Sequence, residues 1–455
     1  MPQDTISAIA TPLGEGGIGI IRISGPGSLG IAQKIIKFPP NKAIKDHEIC
    51  HAWVVDNSKD IDEVLVTYMG SKHSYTGEDV IEINCHGGVA VLRNILELTI
   101  KNGARLAQKG EFTKRAFLNG RIDLAKAEAV IDIIKAKTKE ASIFAASQLK
   151  GALSNRINKE RKALMDALAE IEASIDFPDE IDEVPLKKIK GIIARTMNSL
   201  DEIISTADLG KIFREGVSIA IIGKPNVGKS SIMNALLRSE RAIVTEEPGT
   251  TRDTIEEPAN IMGIPLRIID TAGIRKGMNK PEKMGVKRAK DQIKEADLII
   301  LVIDISGKLS HEDMELIKTT GKENRIITLN KADKKRYINT EDIRKATSTS
   351  EKPVIISALT GNGIKSLEEQ VFRKITSNKV LARNQEIMIN LRQKQCLERA
   401  KESLGKCMES ITNKMSPDFI AIDLREGIGA LGEVTGDVVS DQVIESIFER
   451  FCVGK

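Results

Sequence analysis

Hydrophobic positions along the chain change their period several times. Up to about Leu118, short β-branched runs alternate with glycine-rich turns; Gly19 to Ser24, Val64 to Met69 and Val80 to Asn84 are such runs. Runs of this length and composition read as strands. Val89 to Asn102 carries its apolar residues at helical spacing, so the opening stretch predicts an α+β or α/β domain. From Asp123 to about Ile212 the pattern is helical, with Leu164, Leu168, Ile171 and Ile175 recurring on one face. It breaks at Asp176-Phe177-Pro178-Asp179. Residues 217–376 alternate buried strands with helices, the signature of a parallel sheet. After about Lys379 helical spacing returns to the end, with glycine-rich breaks expected near Gly427 to Gly436. Helices on both sides of an α/β stretch predict an insertion, because the ends of an inserted domain lie close together.

Composition narrows this picture. A chain of 455 residues exceeds one ordinary core, so several domains are expected. Hydrophobic residues at 41% and charged residues at 29% exclude a mainly disordered chain. A formal net charge of +4 argues against a histone-like polycation. Aromatics are only 3%, which makes base-stacking platforms an improbable main device and leaves the cores aliphatic. Cys50, Cys85, Cys396, Cys407 and Cys452 are scattered without a C-x-x-C pair, so neither a disulfide framework nor a cysteine zinc site is expected. The first residues lack a basic n-region, and no run approaches the ~18 apolar residues of a membrane span. A soluble, cytoplasmic chain without membrane attachment is the expectation.

The chemistry concentrates in residues 217–376. Val217 to Ile222 runs straight into Gly223-Lys224-Pro225-Asn226-Val227-Gly228-Lys229-Ser230, followed by Ser231 and a helical pattern. This is the strand, glycine loop and helix of a phosphate-binding loop. Its backbone N–H groups wrap phosphates, Lys229 neutralises the outer ones, and the Ser230 hydroxyl ligates Mg²⁺. Thr251, in Gly249-Thr250-Thr251-Arg252-Asp253, stands where a second Mg²⁺ ligand is needed. Asp270-Thr271-Ala272-Gly273 offers a carboxylate to the metal shell and an N–H to a γ-phosphate. Asn330-Lys331-Ala332-Asp333 ends a further strand, and Asp333 can accept from both the N1–H and the amino group of guanine, a pair that adenine does not present. Ser357-Ala358-Leu359 completes the base site. Five elements in this order indicate a GTPase.

Ile274 follows Gly273 where a Ras-type enzyme carries a water-orienting glutamine. Other groups must therefore complete the machinery. Asn226 and the carbonyl-rich Thr245-Glu246-Glu247-Pro248-Gly249-Thr250 segment suggest a site for K⁺, whose charge would act where an arginine finger otherwise does. Glu282, at the start of a helical pattern, fits two roles: a group that orients or deprotonates the attacking water, or an acid complementing the helix dipole.

Motifs along nearly the whole chain resemble the tRNA-modification GTPases usually called MnmE or TrmE. They include ATPLGEGGIGIIRISG, SYTGEDVIEINCHGG, KGEFTKRAFLNGRIDLAKAEAV, IDFPDE, GKPNVGKSS, TEEPGTTRD, DTAGIR and the terminal FCVGK. The resemblance implies a multidomain chain. It would comprise an α+β N-terminal tetrahydrofolate-binding and dimerisation domain (1–119), a helical domain (120–214 and 378–455) and an inserted α/β P-loop G domain (215–377). It further implies a homodimer working with the flavoprotein MnmG, in a heterotetramer, on the wobble uridine of certain tRNAs. A carboxymethylaminomethyl group would be placed on C5, its one-carbon unit coming from 5-formyl- or methylene-tetrahydrofolate. By the same resemblance Asn226, Thr245, Glu247 and Thr250 surround K⁺, Ser230 and Thr251 hold Mg²⁺, and Glu282, in Glu282-Lys283-Met284-Gly285, is catalytic. Two departures stand out: Glu247 replaces a usually apolar residue, and Pro281 precedes Glu282.

The folate positions implied by the resemblance fall on Arg22, Glu82, Arg121 and Lys455. Glu82 could accept both adjacent N–H donors of a pterin ring, and the cations could meet carboxylates or ring carbonyls. Arg252 and Asp253 of switch I, with Cys452, are candidates for the modification centre. Cys452 reads either as a thiol near bound folate or as a packed cysteine, and Gly454 and Lys455 fit a prenylation box poorly. His86 reads as structural. Two other functions are compatible with a GTPase. A ribosome-assembly GTPase would need a second G domain or a KH domain, neither of which is legible here; a scaffold GTPase would bind no folate.

Overall fold

A computed structural model describes residues 4–40, 44–177, 185–238, 259–269, 293, 295–321, 324–347, 352–376 and 387–455. The chain forms two compact units, Met1–Ile134 with Gln148–Asp201 and Gln395–Lys455, and Lys135–Ser147 with Glu202–Lys394.

The first unit is built on a seven-stranded sheet of order β3-β4-β5-β6-β2-β1-β7. Its strands are β1 (Ile6–Ile9), β2 (Gly16–Ser24), β3 (Ile36–Lys37), β4 (Ile49–Asp56), β5 (Lys59–Met69), β6 (Val80–Gly87) and β7 (Arg105–Leu106). All pairings are antiparallel except β1 with β7. Alternation does the sorting: Cys50, Ala52 and Val54 of β4 are buried, whereas Ile49, His51 and Trp53 face out. Helices Ser28–Ile35 and Val89–Lys101 close the core over Ile21, Ile23, Val66, Ile81 and Ile83. β5 begins five residues before the Val64 expected from hydrophobicity. Asp56 and Lys59 are paired across a two-residue turn, with Asn57 and Ser58 both left-handed (φ 44° and 72°). That hairpin turn recruits the polar Lys59–Glu63 segment into the strand.

Seven further helices belong to this unit: Glu111–Leu118, Leu124–Lys135, Ala152–Asp176, Leu186–Ile204, Leu391–Thr412, Pro417–Thr435 and Asp441–Phe448. Ala152–Asp176 buries Ile157, Leu164, Ala167 and Ile171, while Leu168 and Ile175 lie at the margin of the face. The expected breaks near Gly427 to Gly436 are absent up to Thr435; the chain stays helical and ends at Gly436, which is left-handed (φ 90°). Packing explains this. A Cβ on Gly427 would come within 3.2 Å of Leu404 Cδ2, and one on Gly432 within 3.4 Å of Arg161. These glycines admit neighbours rather than interrupt the helix. Helix Asp441–Phe448 packs Ile444, Ile447 and Phe448 with Ala116, Leu124 and Ala127, joining the C-terminus to the helices that follow the sheet.

The second unit carries a six-stranded sheet of order β13-β12-β11-β8-β10-β9. Here β8 is Val217–Ile222, β9 Ala259–Ile261, β10 Ile264–Ile268, β11 Leu298–Asp304, β12 Arg325–Asn330 and β13 Val354–Ile355. Every pairing is parallel except β9 with β10. All six residues of β8 and of β12 are buried, as strands covered on both faces require. Together the units realise the expected multidomain class: an α+β sheet domain, helices and an α/β P-loop domain. Among the described residues no helix is long and apolar enough to cross a membrane.

Candidate functional site

In the second sheet the chain runs from β8 outward to β10 on one side and to β11 on the other. Ligands of such sheets bind beyond the C-terminal strand ends where the direction reverses. The loop Gly223–Lys229 lies there, between β8 and helix Lys229–Arg238. Asn226 (φ 63°) and Gly228 (φ 97°) are both left-handed, which curls the loop so that backbone N–H groups can converge on an anion. A Cβ on Gly223 would collide with the Val302 carbonyl, and one on Gly228 with the Asn330 amide. Lys229 Nζ donates to the carbonyls of Gly223 (2.8 Å) and Lys224 (2.7 Å). Burial holds its pKa below the ordinary lysine value, a penalty that phosphate charge would offset. Lys224 reaches the other way, to Asp313 (2.8 Å) and Ser310 (2.9 Å) at the capping box of helix His311–Thr319. The donor set fits a nucleoside polyphosphate with Mg²⁺: curled amides, one lysine, and the partly exposed Ser230 at the first turn of the helix.

The residues expected to read the base stand at the ends of β12 and β13. Asn330, buried, donates from Nδ2 to the Val227 carbonyl (2.8 Å) and accepts at Oδ1 from Ala358 N–H (3.0 Å). One side chain thus ties the phosphate loop to the Ser357-Ala358-Leu359 loop. Ala332 N–H donates to the Ile356 carbonyl (3.0 Å), fixing the turn. Ser357 Oγ donates to Asp333 Oδ1 (2.6 Å) and holds the exposed carboxyl below its ordinary range, which keeps Asp333 a hydrogen-bond acceptor. Leu359 is 85% exposed. The structure therefore brings together the predicted residues Asn226–Ser231, Asn330–Asp333 and Ser357–Leu359. Thr245, Glu246, Glu247, Pro248, Gly249, Thr250, Thr251, Arg252 and Asp253, then Asp270, Thr271, Ala272, Gly273 and Glu282, lie outside the described residues.

A second polar site lies in the first unit. Arg22 on β2 and Glu82 on β6 are register partners, joined by Nε to Oε1 (2.8 Å) and Nη2 to Oε1 (2.7 Å). Arg22 Nη1 also donates to the carbonyl of Gly454 (3.0 Å), 432 residues away. The tail is placed by a bridge between Lys109 and Val453 and by Gly110 N–H donating to the Cys452 carbonyl (3.3 Å). Gly454 is left-handed (φ 92°), and a Cβ there would collide with the Ile9 carbonyl. Half-burial and the neighbouring Arg22 lower the Lys455 pKa, with Glu82 opposing them.

Two aromatic rings missing from the sequence-level site hold its cations. Arg22 Cζ lies 5.6 Å from the centroid of the fully buried Phe112, and Arg121 Cζ lies 5.2 Å from that of Tyr75. Tyr75 packs beside Phe112, and its hydroxyl bonds Thr113 Oγ1 (3.0 Å). Both rings sit inside motifs quoted above, yet nothing in the linear pattern pairs them with arginines. The Cys452 thiol is exposed rather than packed, and all five cysteines are free. His86 pairs with Asp62 (2.7 Å), whose hydrogen bond raises the imidazole pKa.

The model of the MnmE helical domain matches residues 124–452, and that of the GTP-binding protein TrmE N-terminus matches residues 5–121. The chain is 47% identical over 460 residues to the tRNA modification GTPase MnmE of Alkaliphilus metalliredigens (strain QYMF), covering 100% of this chain and 99% of that one. With that of Alkaliphilus oremlandii (strain OhILAs) it shares 45% identity over 459 residues, with the same coverage. Among solved structures, the G domain of the T. maritima FeoB iron transporter matches 35% of this chain and 98% of its own, at 26% identity and a TM-score of 0.25.

Proposed function

The chain belongs to the MnmE family of tRNA modification GTPases, and from that premise we propose which chemistry its two sites divide between them. The protein is a GTP hydrolase that serves tRNA modification. In the reading proposed, hydrolysis is stimulated by K⁺ and drives the work of a homodimer with the flavoprotein MnmG. The product is a carboxymethylaminomethyl group on C5 of wobble uridine.

Lys229 exchanges two loop carbonyls for phosphate oxygens as nucleotide enters the curled loop. Ser230 and Thr251 would hold Mg²⁺, and Asn226, Thr245, Glu247 and Thr250 would hold K⁺. Both cations, when bound, supply positive charge against the phosphates where no glutamine or arginine finger acts. Glu282 orients the attacking water and takes its proton. Asp333 and the Ser357-Ala358-Leu359 loop restrict the base to guanine. The domain division proposed is 1–119, 120–214 with 378–455, and 215–377.

A tetrahydrofolate derivative, when bound, supplies the one-carbon unit. Glu82 accepts the paired N–H donors of its pterin, while Arg22, Arg121 and Lys455 bind its carboxylates and ring carbonyl. The supporting observation is the Arg22–Glu82 pair extended to the Gly454 carbonyl, which leaves the half-buried Lys455 among charged partners. Equilibrium binding of 5-formyl-tetrahydrofolate tests this reading. Glu82→Gln keeps the shape but replaces one acceptor by a donor, and is expected to weaken binding by about 100-fold. Undiminished binding would remove Glu82 from the site.

A further inference from the structure

The C-terminal ends of β11 and β12 lie side by side, with Asp304 opposite Asn330. Lys331, the next residue, has a φ of 68°, a left-handed conformation that few side chains adopt. Its carbonyl accepts Lys334 N–H at 3.0 Å, which closes the turn around that conformation. Lys331 Nζ donates to Asp304 Oδ2 at 2.6 Å. The other carboxylate oxygen, Oδ1, accepts from the N–H of Ser306 (2.9 Å) and from its hydroxyl (2.6 Å). Asp304 is therefore fixed by its own chain on one side and grips the ammonium on the other. Burial opposes its charge, yet the Lys331 and Ser306 hydrogen bonds prevail and keep the carboxyl below its ordinary range.

Lys331 stands between Asn330, which locks the phosphate loop, and Asp333, which reads the base. Its ammonium is occupied by Asp304, so the part of the side chain available to a planar ring is the apolar methylene stem. We propose that Asp304 is a positioning residue for guanine nucleotides: it anchors the Lys331 ammonium so that the lysine stem forms a preset wall for the base held by Asp333. Without the anchor the stem samples many rotamers, and ordering it weakens binding. No role in phosphate chemistry is assigned to Asp304.

The test uses the full-length protein with Mg²⁺ and K⁺ and a fluorescent N-methylanthraniloyl-GDP as probe. Asp304→Asn is expected to weaken binding about tenfold, mainly through faster release, and to raise KM for GTP by the same factor with the loss spared from kcat. Lys331→Met weakens binding by itself, and adding Asp304→Asn to it changes affinity by less than about twofold, because the anchor then has nothing to hold. Unchanged affinity in Asp304→Asn, or losses that multiply in the double variant, would overturn the proposal. Should Asp304→Asn fail to fold, Ser306→Ala decides: a two- to threefold loss, about what one hydrogen bond contributes, supports it, and full affinity overturns it.

Discussion

Individual residues in this protein differ sharply in what their surroundings allow. The thiols illustrate it. Burial, with the nearby Asp62 charge, pushes Cys85 up to about 11, and burial with the Asp423 charge pushes Cys407 up to about 12. Cys452 is exposed in the tail that reaches Arg22. At pH 8 an aromatic disulfide reagent is expected to modify one thiol per native chain quickly, at Cys452, with the four buried thiols reacting only on unfolding. Fast loss of more than one thiol would contradict the packing described. The sign of the pH effect follows. Unfolded thiols ionise from about pH 8.5, whereas these two native thiols hold their protons to higher pH. The unfolded state then binds fewer protons, and stability falls as pH rises through that window. At this scale the sequence was informative where the signal is local: the phosphate loop and Asn330–Asp333 are contiguous motifs, legible without the remote partners that hold them. It was uninformative where the partner is remote. Tyr75 beneath Arg121 and Phe112 beneath Arg22 leave no linear signal, and Asp304 reads simply as the polar end of a buried strand.

Elements add constraints that no residue shows alone. The nucleotide site depends on close approach of two loops. Gly228 is left-handed, and a side chain there would meet the Asn330 amide that bonds Val227. Gly228→Ala is expected to lower guanine-nucleotide affinity by at least 100-fold while the thermal midpoint of the nucleotide-free protein shifts by only a few degrees. Retained affinity would show that the two loops are not packed as described. Strand and helix types were legible from period, since β8, β11 and β12 are short, mostly apolar, β-branched runs. The departures have physical causes. β5 is longer than its hydrophobic part because a left-handed Asn57-Ser58 turn pairs polar residues, and helix Pro417–Thr435 continues through its glycines because Leu404 and Arg161 press against it. Glycine in a helix costs about 1 kcal/mol each, which close packing offsets. Propensity argued for a break; tertiary contact decided otherwise.

Across the whole chain, the two sites lie in different compact units, one built for a guanine nucleotide and one proposed for folate. The first rests on local motifs. The second was readable only through family resemblance, because Arg22, Glu82, Arg121 and the tail at Gly454–Lys455 converge from separate segments across the full length. A GTPase alone requires nothing of the second site, so the central claim is that both serve one modification. The direct measurement is nucleoside analysis of total tRNA from cells with and without this gene. Loss of the C5-modified wobble uridines on deletion, restored by the intact gene but by neither Glu282→Ala nor Glu82→Gln, is the result expected. Full restoration by both variants, or an unchanged nucleoside profile on deletion, would contradict the account.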